Sequence, residues 1–358
     1  MTLRIGFVKA CALLLAISCC GCSKGPKRIN GGGATFVDPI MQKWSAVYKD
    51  EKGLEIDYKK SGSGNGIQQM TARTLDFGCT DAPMSKEQTE AAGKEGGEVI
   101  HLPVVMGAVV VVYNLPSIDK QLVLDGKTLA DIYLGNIKTW DHEAIVALNK
   151  DLKGKLPSIA IVPVYRAESS GTTKIFTEYL AKVSEAFKNS SVGVSTEPKW
   201  PQIGTGQQGN DGIAGFVGNT ANVGSIGYVE IYYAQKNNIK FAKLKNKKGN
   251  EISANEDGVV AAAAEAGMAT APTKEPYTLH ELTYSLTDTD GDKAYPICGI
   301  SYAILYKKQP KDKGKIIVDF LKWATTDGQK YSNDLGYAPL PDELRKKIHA
   351  RLDQVQLD

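Results

Sequence analysis

Cysteine is scarce in the part of the chain that can fold. Six are present, but Cys11, Cys19, Cys20 and Cys22 lie in or beside an apolar leader, which leaves Cys79 and Cys298. No CxxC pair and no Cys/His spacing points to zinc. The two body cysteines are either separate thiols or a disulfide, which an exported compartment would permit, and both alternatives stand. Histidine is equally sparse. His101, His142, His280 and His349 are scattered and accompany no acid-rich metal motif, so neither a metal centre nor a catalytic residue is expected. Net charge is low, 43 Lys+Arg against 40 Asp+Glu, and gives no warrant for nucleic-acid binding, which needs clustered basic residues on one face. No G-x-S-x-G elbow is present, and the glycine-rich loop at residues 61–66 lacks the lysine of a Walker loop. Internal repeats and low-complexity tracts are missing too.

What remains is an ordinary globular composition, 42% hydrophobic and 23% charged, over 358 residues: enough for a sizeable core and two domains or one large one. Arg4 and Lys9 precede the short apolar run Ala12–Ser18, which is too short to span a bilayer permanently. Small residues then run into cysteine, as in a bacterial lipoprotein signal. Residues 1–18 are expected to be that signal, with Cys19 carrying the lipid after Ala16-Ile17-Ser18. Cys22 after Gly21 is the alternative, and residues 19–30 read as a basic, Gly/Pro-containing tether.

Strands alternate with helices along the rest, which argues an α/β fold. Gly31-Gly32-Gly33-Ala34-Thr35-Phe36 reads as a glycine-rich loop opening the fold and entering a helix with Pro39 in its first turn. Ser61-Gly62-Ser63-Gly64 follows a strand around Ile56 and enters another helix. Leu75–Thr80 is expected as a strand delivering Asp81, and Ser85 with Gln88 forms a capping-box pattern. Asp141 is expected to cap a helix over residues 143–148, Lys243–Gly249 to be a solvated basic loop, and residues 261–271 to be helical. Asn114–Ser117 and Tyr295–Tyr306 are candidate crossing points between domains.

One stretch carries more chemistry than these. Ile159–Val164 is an apolar strand pattern, and Ile175, Phe176, Tyr179 and Leu180 fall on one helical face. Between them lie Arg166, Glu168, Ser169, Ser170, Gly171, Thr172 and Thr173, where a helix N-terminus presents free N–H groups and a positive dipole end. Thr35, Phe36, Ser63 and Asp81 share that placement at strand-to-helix junctions, where open α/β sheets hold ligands. Converging, they would surround a small tetrahedral oxyanion.

These motifs, with Leu124–Leu129, Ile132–Gly135, Gly209-Asn210-Asp211-Gly212-Ile213-Ala214 and Ile226-Gly227-Tyr228-Val229, recur in order over nearly the whole chain. The sequence resembles the periplasmic phosphate-binding proteins of bacterial high-affinity phosphate ABC transporters. The resemblance implies a two-lobed periplasmic-binding-protein fold of type II-like α/β architecture with the cleft between the lobes. Residues 31–113 and 285–358 would build the first lobe and 114–284 the second. It implies inorganic phosphate bound by Thr35, Phe36 (through its backbone), Ser63, Asp81, Arg166, Ser170, Gly171 and Thr172, with no cofactor and no enzymatic activity. It also implies a permease and ATPase as partners and a periplasmic or cell-surface place, lipid-anchored to the membrane. Asp81 would accept the proton that phosphate keeps and sulfate lacks, so sulfate would be repelled. Three departures stand out. Glu168-Ser169 replaces the family's usual Asp-Gly, Val37 replaces a proline, and the Ser61-Gly62-Ser63-Gly64 loop differs from the usual one, so that Ser63 is placed by alignment to Tyr58 and Gly66. The alternatives are a receptor for another oxyanion (sulfate, molybdate or phosphonate) on the same fold and, from a different class, a phosphoryl hydrolase.

Overall fold

The computed structural model describes residues 28–268, 270, 274 and 277–358. The signal, Cys19, Cys22 and most of the expected tether lie outside them. The chain runs β1 (Arg28–Gly33), α1 (Asp38–Lys52), β2 (Glu55–Lys60), α2 (Ser63–Thr71), β3 (Phe77–Thr80), α3 (Lys86–Gly96) and β4 (Val99–Tyr113). Next come β5 (Val123–Leu124), α4 (Gly126–Tyr133), α5 (Glu143–Leu148), β6 (Val162–Arg166), α6 (Gly171–Val183), α7 (Glu185–Lys188), β7 (Thr205–Gln207), α8 (Gly209–Gly218), β8 (Ser225–Glu230) and α9 (Ile231–Lys236). The series ends with β9 (Lys243–Lys245), β10 (Glu251–Ile252), α10 (Glu256–Glu265), β11 (Leu286–Thr287), β12 (Ile297–Tyr306), β13 (Lys308–Gln309), α11 (Lys311–Ala324), α12 (Asp342–Leu352) and β14 (Gln356–Leu357).

Among the described residues, nine strands form one sheet in the order β2-β1-β3-β12-β4-β8-β6-β7, with β11 paired to β12. In the first lobe β1 pairs in parallel with β2 and β3; in the second β6 pairs in parallel with β7 and β8. Each parallel group carries helices, as βαβ crossovers require. The long strand β4 joins them, pairing antiparallel with β12 through Val99–Ala108 and with β8 through Val109–Tyr113. All its residues are buried. Aromatic side chains fill each lobe. Tyr48, Phe77, Phe320 and Trp323 meet in the first, and Tyr133, Phe176 and Tyr228 in the second, where Phe176 and Tyr228 stack at 4.2 Å.

Several expectations need correction. Arg28, Ile29 and Asn30 are strand and not tether, pairing with Glu55, Ile56 and Asp57. The three glycines continue that strand. A Cβ on Gly31 would lie 2.3 Å from the Phe77 ring, one on Gly32 2.9 Å from the Lys59 carbonyl and one on Gly33 2.2 Å from the Cys79 carbonyl, so neighbouring strands and the Phe77 ring leave room only for glycine. His142 caps α5 in place of Asp141, its Nδ1 accepting from Ala144 N–H at 3.2 Å. The basic loop forms the β9–β10 hairpin, and the alanine-rich helix begins earlier, at Glu256. Cys79 and Cys298 are separate buried thiols. His101 and His280 are not scattered. Their rings stack at 3.8 Å under α3, with Met84 N–H donating to His101 Nε2.

Candidate functional site

Apart from Ser301 in the antiparallel strand β12, the elements that reach the cleft do so from the C-terminal end of a parallel strand. Thr35 and Phe36 follow β1, Ser63 follows β2, Asp81 follows β3, Arg166 ends β6, Asn210 follows β7 and Glu230 ends β8. That placement follows from the handedness of βαβ crossovers, which brings all these junctions to one edge of the sheet. Gly33, at φ +126°, turns the chain at the end of β1, and its carbonyl accepts from Ser61 N–H (2.8 Å) and Gly62 N–H (2.9 Å). This locks the loop after β2 beside Thr35. Tyr233 donates to the Thr35 carbonyl at 2.7 Å and Tyr337 to the Phe36 carbonyl at 2.5 Å, fixing both peptides.

The expected site residues come together. Thr35, Phe36, Ser63, Asp81, Arg166, Ser170, Gly171 and Thr172 are all buried. Ser170 caps α6, accepting from Thr173 N–H at 3.2 Å. The start of that helix presses against the first lobe. A Cβ on Gly171 would stand 2.6 Å from Ser63 Oγ and 2.8 Å from Asp81 N, so only glycine permits this approach. The lobes also meet where Gly64 N–H donates to the Ser169 carbonyl (3.2 Å) and where Lys60 Nζ lies 3.1 Å from Asp211.

Arg166 and Asp81 carry the charge. The Arg166 side chain is 1% exposed. Its Nε donates to Glu168 Oε1 at 2.9 Å and its Nη2 to the same oxygen, while Nη1 is buried with no protein partner. Glu168 Oε1 also accepts from Gly209 N–H at 3.0 Å. Glu168 therefore clamps the guanidinium and the start of α8 together. Asp81 accepts from Ser301 Oγ at 2.9 Å on Oδ1 and from Thr172 Oγ1 at 3.4 Å on Oδ2. Burial pushes its carboxyl up to about 7, against the lowering pull of Ser301, Arg166, Thr172 and Ser63. Burial raises the Glu230 carboxyl well above the usual range too, with Asp81 adding to the shift.

Three cleft residues escaped the sequence reading: Glu230, one residue past the Ile226–Val229 motif, Asn210 and Ser301. Asn210 lay inside a quoted motif, at a strand-to-helix junction like the others. Ser301 had no signal, being one hydroxyl in the middle of an apolar strand. It reaches Asp81 where the β4–β12 register shifts between Ser301 and Tyr302, and the Val104 carbonyl at that irregularity accepts from Gln329 Nε2 at 3.0 Å. Hydroxyls, backbone amides, one guanidinium and one near-neutral carboxyl can together enclose a small oxyanion that carries a proton.

Two α/β lobes with buried polar groups at facing strand ends define a periplasmic-type binding protein, and the family model described as a PBP superfamily domain matches residues 23–328. The chain belongs to that superfamily and, within it, to the family of the phosphate-binding proteins PstS. Its relatives there include the PstS of Pasteurella multocida (strain Pm70), 38% identical over 344 residues, covering 95% of this chain and 94% of the relative. The PstS of Methanocaldococcus jannaschii is 34% identical over 360 residues, covering 94% and 91%. Among solved structures, the high affinity periplasmic phosphate-binding protein PfluDING, bound with phosphate, aligns with a TM-score of 0.71 at 20% identity, covering 90% of this chain and 93% of that one. A phosphate binding protein from Stenotrophomonas maltophilia aligns at 0.67 and 18%, with the same coverage. These structural likenesses bear on the fold. Among the described residues no helix is long and apolar enough to cross a membrane.

Proposed function

We propose that the protein is the extracytoplasmic binding component of an ABC importer that captures inorganic phosphate. The observation that carries this is the buried pairing of Arg166, with Nη1 unpartnered, and Asp81, a carboxyl raised to about 7 on the opposite lobe. Buried N–H donors need acceptors, and phosphate oxygens supply them. Thr35, Ser63 and Ser170 would donate hydroxyl protons, Phe36, Gly171 and Thr172 would donate backbone N–H groups, and Arg166 would donate through its guanidinium. Asp81 would accept the proton of the ligand. The relatives' name supports phosphate over other oxyanions. The work of such a site is capture and release, with no bond made or broken. Delivery to a permease and its ATPase, and anchoring through lipid on Cys19 or Cys22, complete the reading. Titration calorimetry with phosphate and with sulfate tests it: near pH 8 phosphate should bind far more tightly than sulfate. Sulfate binding without phosphate binding would overturn it, and turnover of p-nitrophenyl phosphate would favour a hydrolase.

A further inference from the structure

Asn210 is fully buried in the cleft and bonds to Thr35, Thr172 and Glu230. A hydroxyl has one proton and two lone pairs, so its usefulness to an anion depends on where that proton points. Ser63 Oγ accepts from Asp81 N–H at 3.2 Å, and Ser170 Oγ accepts from Thr173 N–H at 3.2 Å. Each of these donors belongs to the same lobe as its hydroxyl. Thr35 is different. Its Oγ1 accepts from Asn210 Nδ2 at 2.9 Å and from Asn210 N at 3.4 Å, both from across the cleft. With both lone pairs engaged, the Thr35 hydroxyl can only donate. The same Nδ2 reaches Thr172 Oγ1 at 3.4 Å, and that hydroxyl passes its own proton to Asp81. The amide cannot turn over, because its Oδ1 accepts from Glu230 N–H at 3.3 Å.

We infer that Asn210 is a positioning residue for phosphate capture: when the lobes close, its side chain and backbone donors turn the Thr35 hydroxyl proton toward the ligand. Thr35 is thereby a committed donor only in the closed protein, and the affinity of the site is tied to closure through one side chain. This rests on the phosphate reading above.

The test is the cost of Thr35→Val, measured as the change in phosphate Kd, in three backgrounds. In the unaltered protein the loss of a hydrogen bond to an anion should weaken binding roughly 10- to 100-fold. With Asn210→Ala the same substitution should cost several-fold less, since the hydroxyl is no longer directed. With Asn210→Asp, whose carboxylate draws the Thr35 proton to itself, Thr35→Val should cost nothing or improve binding. The charge that this carboxylate adds is present in both members of that comparison and cancels. The Asn210→Asp variant also keeps the acceptor for Glu230 N–H, so it decides the matter if the alanine variant melts early by circular dichroism. Equal cost of Thr35→Val in all three backgrounds would overturn the role of Asn210 while leaving phosphate binding intact. Absence of phosphate binding by the unaltered protein would instead remove the reading beneath it.

Discussion

Acidification should convert sulfate from a rejected ligand into a bound one, and the pH at which it does so reports Asp81. Sulfate brings no proton, so it fits beside Asp81 only when that carboxyl carries one. The carboxyl is held near 7 by burial. Sulfate affinity should therefore be flat below about pH 7 and fall about tenfold for each pH unit above it, about a hundredfold by pH 9. Phosphate supplies its own proton and is spared this loss, so the preference for phosphate should widen as pH rises. Calorimetry in two buffers of different ionisation heat reads the same event a second way, since sulfate binding above pH 7 should take up about one proton. Asp81→Asn should abolish both the slope and the uptake and admit sulfate throughout. A sulfate affinity independent of pH, or an unchanged slope in the asparagine variant, would refute the role of Asp81.

The stability of the closed protein should follow the same group, because closed lobes are what bury it. Its pKa is raised from 3.8 to about 7, so the folded state holds the proton that the unfolded chain has released. Stability then falls as pH rises through that window, by up to about 4 kcal/mol, or about 6 °C in Tm for a chain of this length. Thermal melts at pH 8 should show Asp81→Asn more stable than the unaltered protein; a less stable variant would contradict the burial account. Gly171→Ala should leave the ligand-free melting temperature nearly unchanged yet weaken phosphate by more than about a hundredfold. Its methyl group would stand 2.6–2.8 Å from Ser63 and Asp81 and hold the lobes apart, and small-angle scattering with phosphate should show no compaction. Glu168→Ala removes the acceptor shared by Arg166 and Gly209 and should weaken phosphate roughly 10- to 100-fold. Glu168→Asp should cost less than tenfold, and equal losses in the two would deny the carboxylate its orienting part.

Much of the fold was legible because its signals are local. The capping box at Ser85, the helix start at Ser170 and the apolar faces of α1 and α6 depend on neighbours a few residues away. The junction residues Ser63, Asp81 and Arg166 were legible for a related reason: a strand period giving way to a helix period marks where a sheet presents its ligand edge. What stayed hidden depends on partners far along the chain. Arg28–Asn30 looks like tether until β2 pairs with it, and Gly31–Gly33 looks like loop until Phe77 and the flanking strands β2 and β3 close against it. Ser301 acquires its contact with Asp81 only through a register shift between two distant strands. The stacking of His101 on His280 likewise has no local sign. Glu168, marked as a departure from the family pattern, proves long enough to hold both Arg166 nitrogens on one oxygen.

The strand β4 has a consequence for how the molecule comes into being. Its fifteen residues run about 50 Å, and one end completes the first lobe while the other completes the second. A fragment of residues 114–284 would leave β8 without Val109–Tyr113, so the second lobe is no autonomous module to excise or exchange. The first lobe is bound to wait. Val99 pairs with Tyr306, roughly two hundred residues later in synthesis, and such distant pairings form slowly. The emerging chain therefore keeps the sheet of the first lobe open until β12 arrives, while the strands of the second are already in hand by Glu230.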